Sequence, residues 1–397
     1  MNTSTLHDNP YGVGLAYRYV IHEDVMRYRE HLDLLEITTE DYINRQRLLR
    51  GDADQSLLRE ALSALPSTAH GLTLSIGSVQ QPNTPYLEGT RRFLEEHQLS
   101  TFSEHLAFHQ MDGTDLGIFL PMPFEELAIQ WLKRAYNHAR KALGRPFALE
   151  NVTYYFPIPH GSLGEADFLR RLTEETDCTL LLDVTNIFNN SHNHGYDPIE
   201  FIDRLPLDRV SQIHLAGGHQ TPDGRWEDSH SKPVMEPVWP LFEEVIRRTN
   251  AGIAILERDS KFDPFHTVIE DIERAREIFY RYRSETPEAS AAAPEIAAEA
   301  ADPEAPEFQQ LRAFQRTLMA RLTDPQFRRD FALGPAEAAH QIGLGNNEWL
   351  QRLTDCDPVM FNWVAEGWDR TRNDEALFEQ DSEDSEWAAW ADQLAKP

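Results

Sequence analysis

Histidine and carboxylate side chains recur in this 397-residue chain within or at the ends of short apolar runs. LLEIT (34–38) carries Glu36, STAHGL (67–72) carries His70, and FSEHL (102–106) carries Glu104 and His105. FALENV (147–152) supplies Glu150 and Asn151, and TLLLDVTN (179–186) supplies Asp183 and Asn186. SQIHLAG (211–217) holds His214 and IAILERD (253–259) holds Glu257. Such groups are costly to remove from water unless they are paired or bound to a cation. One buried histidine is ordinarily a hydrogen-bonded core residue, whereas a recurring set from separate segments points to metal. Two polar stretches add donors. FNNSHNHGYDP, read as a loop after the sixth run, offers His192 and His194; AGGHQTPDGRWEDSHSKPV, after the seventh, offers Asp228 and His230. The set His70, His105, Glu150, Asp183, His214, Asp228, His230 and Glu257, with Asn186 in addition, is larger than one octahedral ion needs. Two or three ions are therefore expected, with Glu150 as the central bridge. Imidazole and carboxylate without thiolate suit iron, manganese or zinc. Ligand type alone leaves redox and hydrolytic metals both open. His219 is assigned to solvent.

Bringing these groups together is a task for the elements that carry them. With GVGLA (12–16) the apolar runs make eight strand candidates, and amphipathic stretches such as PFEELAIQWLKRAYNHARKAL (123–143) and FLRRLTEETD (168–177) fit between them. Alternating strands and helices imply parallel pairing with right-handed crossovers. Eight such units within residues 1–283 predict an α/β fold, a TIM-type (β/α)₈ barrel, in which the C-terminal strand ends converge on one mouth. An open doubly wound sheet would need a glycine-rich phosphate turn after the first strand, and GVGLAYR lacks its third glycine. No GxSxG elbow, GxxxxGK[ST] loop or HExxH helix occurs. The two cysteines, Cys178 and Cys356, fall outside the donor set, so cysteine nucleophile chemistry is not expected.

Composition narrows the partners. Lys and Arg total 37 against 66 Asp and Glu, a formal charge of −29. A surface that acidic repels phosphate backbones and anionic lipid, so neither nucleic acid nor membrane is expected as the main partner. No stretch approaches the roughly 20 apolar residues that span a bilayer. The N-terminus lacks a basic-then-apolar secretory pattern, and a cytoplasmic protein is expected. Residues 284–306, rich in Ala, Pro and Glu without Lys or Arg, read as an extended flexible linker. A helical module follows over 307–372, where Phe308, Leu311, Phe314, Leu318 and Leu322 recur at helical spacing. The acidic tail 373–397 reads as a solvated segment or as a docking segment for a basic, apolar-grooved partner.

HGLTLSIGS (70–78), SEHLAFH (103–109), ENV (150–152), LLLDVTNIFNNSHNHGYDP (180–198), IHLAGG (213–218), DSHSKPV (228–234) and LERD (256–259) occur in order. Together they resemble the DUF692 family, the multinuclear non-haem iron-dependent oxidases of methanobactin and 3-thiaglutamate maturation, over residues 10 to about 283. The resemblance implies two or three irons, of mixed Fe(II) and Fe(III) state, held by His70, His105, Glu150, Asp183 or Asn186, His214, Asp228, His230 and Glu257. It implies dioxygen as co-substrate and oxidation of a residue, often cysteine, of a ribosomal precursor peptide, with a small leader-binding partner protein. One ion would anchor the substrate thiolate or carboxylate while its neighbour served dioxygen. The helical module is an addition to this pattern: it either replaces or recruits the partner to capture a peptide, or serves oligomerisation or stability. The competing functions are a metal-dependent isomerase or phosphodiesterase of the sugar-isomerase or endonuclease barrel type, and a non-catalytic metal-binding scaffold.

Overall fold

A computed structural model describes residues 7, 9–43, 52–221, 224–262, 264–284, 301–356 and 358–373. Eight parallel strands form a closed barrel: β1 Gly12–Tyr17, β2 Leu34–Thr38, β3 Ser67–Gly71, β4 Phe102–His105, β5 Ala148–Glu150, β6 Thr179–Asp183, β7 Val210–Ala216 and β8 Ile253–Glu257. Each pairs with its neighbours in chain order, and β8 closes on β1 with Gly12 opposite Ile253. The TIM-type barrel read from the sequence is the fold observed.

Strands covered on both faces read as nearly continuous apolar runs, and the core divides accordingly. Outward residues such as Val13, Leu35, Ala69, Phe102, Leu149, Leu182 and Ile213 join the large cluster that includes the helices. Ala16, Leu34, Ile253 and Ile255 form a separate small cluster inside the barrel. Side chains alternate along a strand, so the residue two before each mouth group shares its face. Leu34 underlies Glu36, Thr68 His70, Ser103 His105, Ala148 Glu150, Leu181 Asp183, Gln212 His214 and Ile255 Glu257. These floor residues are buried, so the barrel is a filled core with a polar upper layer.

Local chemistry decides where each strand stops. β6 ends at Asp183 rather than at Asn186, because the Asp183 carboxylate accepts from the Asn186 backbone N–H at 2.6 Å and caps the helix Val184–His194. Asp is among the preferred N-cap residues for this reason. FNNSHNHG is therefore helix and not loop, ended by Gly195 in the left-handed conformation at φ 72°. Gly217, just past β7, allows the loop after it to fold back: a Cβ there would lie 1.7 Å from the Lys232 carbonyl oxygen.

The C-terminal helices Gln309–Thr323, Pro325–Leu333, Pro335–Gln341, Glu348–Thr354 and Pro358–Asn373 lie against the barrel. Phe308 meets Trp131 edge-on with ring centroids 5.3 Å apart, and Phe361 packs on Phe156. Arg352 and Glu125 form a buried ion pair across the same boundary. These helices share one apolar cluster with the barrel. Residues 285–300 of the expected linker and 374–397 of the expected tail lie outside the described residues. No helix among the described residues is long and apolar enough to cross a membrane.

Gly217→Ala is expected to lower unfolding free energy by about 2 kcal/mol, an ordinary cost of overpacking, because the Cβ must displace the Lys232 backbone. Urea denaturation with an unchanged midpoint would refute this account of the loop.

Candidate metal centre

The barrel brings together the side chains that the strand ends carry. His70 Nε2 and His105 Nε2 each lie 3.4 Å from Glu150 Oε2. His214 Nδ1 lies 3.2 Å from Glu150 Oε1 and 3.1 Å from Glu257 Oε2. The rings of His70 and His105 stand 4.6 Å apart, those of His70 and His214 5.3 Å apart. His230 Nε2 approaches Asp228 Oδ1 at 2.9 Å and Glu257 Oε2 at 3.8 Å, so the loop after β7 reaches the same mouth. Three overlapping groups have ligand atoms within 4.8 Å of one another: Glu36, His70 and His214; His70, His105 and Glu150; and Glu150, Asp183, His214 and Glu257.

What these atoms lack is informative. His70 Nε2, Glu150 Oε2, Asp183 Oδ2, His214 Nδ1, Asp228 Oδ1 and His230 Nε2 are buried and have no hydrogen-bond partner among the described residues. Buried polar atoms in folded proteins are nearly always satisfied. Nitrogen and carboxylate lone pairs that face one region, close together yet not aligned as hydrogen bonds, fit a cation between them.

The far side of each imidazole is already occupied. His70 Nδ1 meets Ser103 Oγ at 2.9 Å, and His105 Nδ1 meets the Gly71 carbonyl at 3.2 Å. His214 Nε2 meets Glu36 Oε2 at 3.0 Å, and His230 Nδ1 meets Asp259 Oδ2 at 3.0 Å. Fixing one ring nitrogen sets the tautomer and aims the other, which is how proteins present imidazole to metals. Asp183 works the same way, with one oxygen committed to its helix cap and Oδ2 left toward the centre. Asn186 Oδ1 accepts from the Thr153 hydroxyl and its Nδ2 donates to the Asn151 carbonyl at 3.1 Å, which leaves one oxygen lone pair on Oδ1. His230 itself sits in the left-handed region at φ 49°, a strained backbone for a non-glycine residue. Arg18 pairs with Asp259 and donates to Thr38 Oγ1 at 2.8 Å, completing the support behind His230.

Electrostatics divides the set. Burial, aided by the nearby His214, drives the His70 imidazole down to about 3. Burial followed by His70 keeps His105 well below its ordinary value. Burial opposes charge on His214, but Glu257, Glu36 and Glu150 outweigh it and raise the group well above normal. At His230 burial is likewise outweighed, by Asp228 and Glu257. Burial lifts Glu150 to about 7 against the pull of His214, and burial with the facing Asp228 raises Asp183 well above the carboxylate range. Glu257 moves the other way: burial opposes its charge, yet His214 and His230 hold it well below normal.

Several residues fall outside the centre. Glu104 points away from it, accepting from Leu74 N–H at 2.9 Å, Tyr86 O–H at 2.6 Å and His105 N–H at 2.9 Å. His194 contacts the Tyr154 carbonyl and His192 the Phe188 carbonyl, within or beside their own helix. His219 is half-buried against Glu227 at 3.4 Å, not free in solvent. Cys178 is buried beneath β6, where burial pushes its thiol up to about 11. Glu36 is absent from the sequence-derived ligand set although it sits at an equivalent strand position. Its alternation in LLEIT matches that of His70 and His105, which was the available signal.

The family profile described as "RiPP precursor modification enzyme MbnB/TglH/ChrH" matches residues 12–280. The chain belongs to this family. RiPP denotes ribosomally synthesised and post-translationally modified peptides, so the family is one of peptide-modifying enzymes. A UPF0276 protein of Nitrosospira multiformis is 35% identical over 241 residues, 61% of this chain and 83% of its own length. A UPF0276 protein of Pseudomonas aeruginosa is 32% identical over 67% of this chain and 92% of its own length. Among solved structures, D-psicose 3-epimerase from Clostridium cellulolyticum aligns over 68% of this chain and 99% of its own, at 10% identity and a TM-score of 0.43.

Two outcomes are expected of the centre. Glu36→Gln weakens the hold on His214 Nε2 and should lower divalent-metal affinity about 10- to 100-fold; titration calorimetry giving the parent affinity would remove Glu36 from the site. A cation must also displace the protons that His214 and His230 retain because their values are raised. Binding should therefore release protons and weaken as pH falls from 8 to 6, by about tenfold per pH unit for each proton released. Affinity unchanged over that interval would contradict the protonation pattern.

Proposed function

We propose that the protein is a multinuclear iron-dependent oxidase that uses dioxygen to modify a residue, cysteine foremost, of a ribosomally made precursor peptide. The observation that carries this reading is the convergence of buried, partnerless imidazole and carboxylate atoms at the mouth of a barrel in a chain of the RiPP-modifying family. In this reading His70, His105, Glu150, Asp183, Asn186, His214, Asp228, His230 and Glu257 would hold two or three irons, and Glu150, the one carboxylate common to two of the overlapping groups, would offset charge for more than one of them. Bound iron supplies Lewis acidity toward a substrate thiol and redox chemistry toward dioxygen.

The chain's own residues do the rest. Ser103, Glu36, Asp259 and the Gly71 carbonyl keep the imidazoles aimed inward. Phe119 stacks on His105 at 3.9 Å between centroids and shields that ring from water. Leu106, Phe124 and Tyr154 line a small apolar cleft of about 20 Å³ beside Asn151, next in sequence to Glu150, room for about one water. Capture of the leader falls to a small partner protein or to the C-terminal helices, which lie beyond the region matched by the family.

Purified protein tests the reading. It is expected to carry two to three equivalents of iron with visible absorption, and to consume dioxygen when co-expressed precursor peptide is added, with a mass change on the peptide. Colourless protein containing zinc or manganese would favour an isomerase or phosphodiesterase, and iron without oxygen uptake would favour a scaffold. Glu150→Ala and His70→Ala should each lower iron content, since losing one ligand also strips charge compensation from its neighbours. Full iron and activity in both variants would overturn the assignment.

A further inference from the structure

We propose that Gln315, on the C-terminal helix Gln309–Thr323, is a positioning residue for the metal centre, acting through the loop that follows His70. The inference rests on the metal-dependent reading above and adds a residue far from the barrel motifs in sequence. Gln315 is fully buried. Its Oε1 accepts from the Val79 N–H at 2.8 Å and its Nε2 donates to the Gly77 carbonyl at 2.7 Å. A side-chain amide thereby pairs with loop backbone as a neighbouring strand would, satisfying a donor and an acceptor there.

That loop is knotted to the wall of the centre. Ser75, left-handed at φ 49°, accepts at Oγ from the backbone N–H groups of His109 at 2.9 Å and Gln110 at 3.1 Å. Ser78 Oγ meets Ser75 Oγ at 2.8 Å and donates to the Gln110 carbonyl. Gly77 N–H donates to the Ala107 carbonyl at 2.9 Å, and a Cβ on Gly77 would lie 2.3 Å from Met122 Sδ, so the contact is close-packed. The segment held in this way runs straight on from His105. The antiparallel hairpin it opens, Phe108–Met111 with Thr114–Leu120, returns Phe119 to stack on the His105 ring. The path from Gln315 to His105 thus consists of side-chain hydrogen bonds from Gln315, Ser75 and Ser78, one backbone bond from Gly77 to Ala107, and one ring contact. Arg316 beside it pairs with Asp112 at the exposed tip of the same hairpin and provides a control.

Gln315→Met keeps the volume and removes both hydrogen bonds. Amide hydrogen exchange should quicken about tenfold, the usual worth of such bonds, at Gly77 and Val79 and also at His109 and Gln110. Titrated with cobalt(II) alone, the variant should bind as many equivalents as the parent with a shifted visible spectrum. Arg316→Ala should change neither readout. Exchange at His109 and Gln110 equal to the parent, or a cobalt spectrum identical to the parent's, overturns the proposal, because Gln315 would then serve docking alone. Parent protein that binds no cobalt would instead sink the metal reading, and the His109 and Gln110 amides would still decide whether Gln315 governs this wall. Should Gln315→Met fail to fold, Gln315→Asn, one methylene too short to span both partners, takes its place with the same expectations.

Discussion

Charge compensation at the barrel mouth is the constraint on which the rest of the structure turns. Two imidazoles, His70 and His214, and several carboxylates are withdrawn from water at the ends of β2 to β8, with His105 and His230 largely so beside them. Isolated burial of even one ionised carboxylate costs several kcal/mol, so the set is tolerable only as a mutually balanced group. The balance is uneven within the protein itself. Glu257 is held ionised by His214 and His230, whereas Glu150 and Asp183 are pushed toward the protonated form by burial. His70 and His105 are held neutral, the state in which an imidazole binds metal. A cation between these groups would satisfy the carboxylates that the histidines leave uncompensated.

The surroundings serve to keep that group in register. Each histidine is anchored from outside by a different kind of partner: a hydroxyl, a backbone carbonyl, a carboxylate on another strand, and a carboxylate beyond β8 that is itself paired with Arg18. Anchors drawn from separate elements convert the rigidity of a closed barrel into fixed ligand geometry. Beneath them the inward residues, small or aliphatic apart from Gln212, are buried and fill the barrel below the polar layer.

The family relationship covers the barrel, and the relatives align over roughly two thirds of this chain. The C-terminal helices lie outside it, yet they are joined to the barrel through Phe308 on Trp131, Arg352 on Glu125 and Gln315 on the loop after β3. An addition built into the core in this manner is coupled to whatever the adjoining loops do, unlike a tethered accessory.

The barrel and most of its mouth were legible in the sequence for a physical reason. Strands buried on both faces must be written as apolar runs, and a charged residue within such a run stands out because its burial is costly. That logic picked out His70, His105, Glu150, Asp183, His214 and Glu257, and the motif DSHSKPV added Asp228 and His230. Asp183 as a helix cap, the helical rather than looped FNNSHNHG, and the outward turn of Glu104 beside inward His105 were decided by alternation and capping, whose outcome depends on where each strand ends. Glu36 could be seen but not assigned, since its role is to hold a ring nitrogen of His214, 178 residues away. Gln315 was invisible altogether. A glutamine on a helix carries no signal until tertiary packing sets its amide against a particular stretch of backbone, and the hydrophobic pattern that places the helix says nothing about that partner.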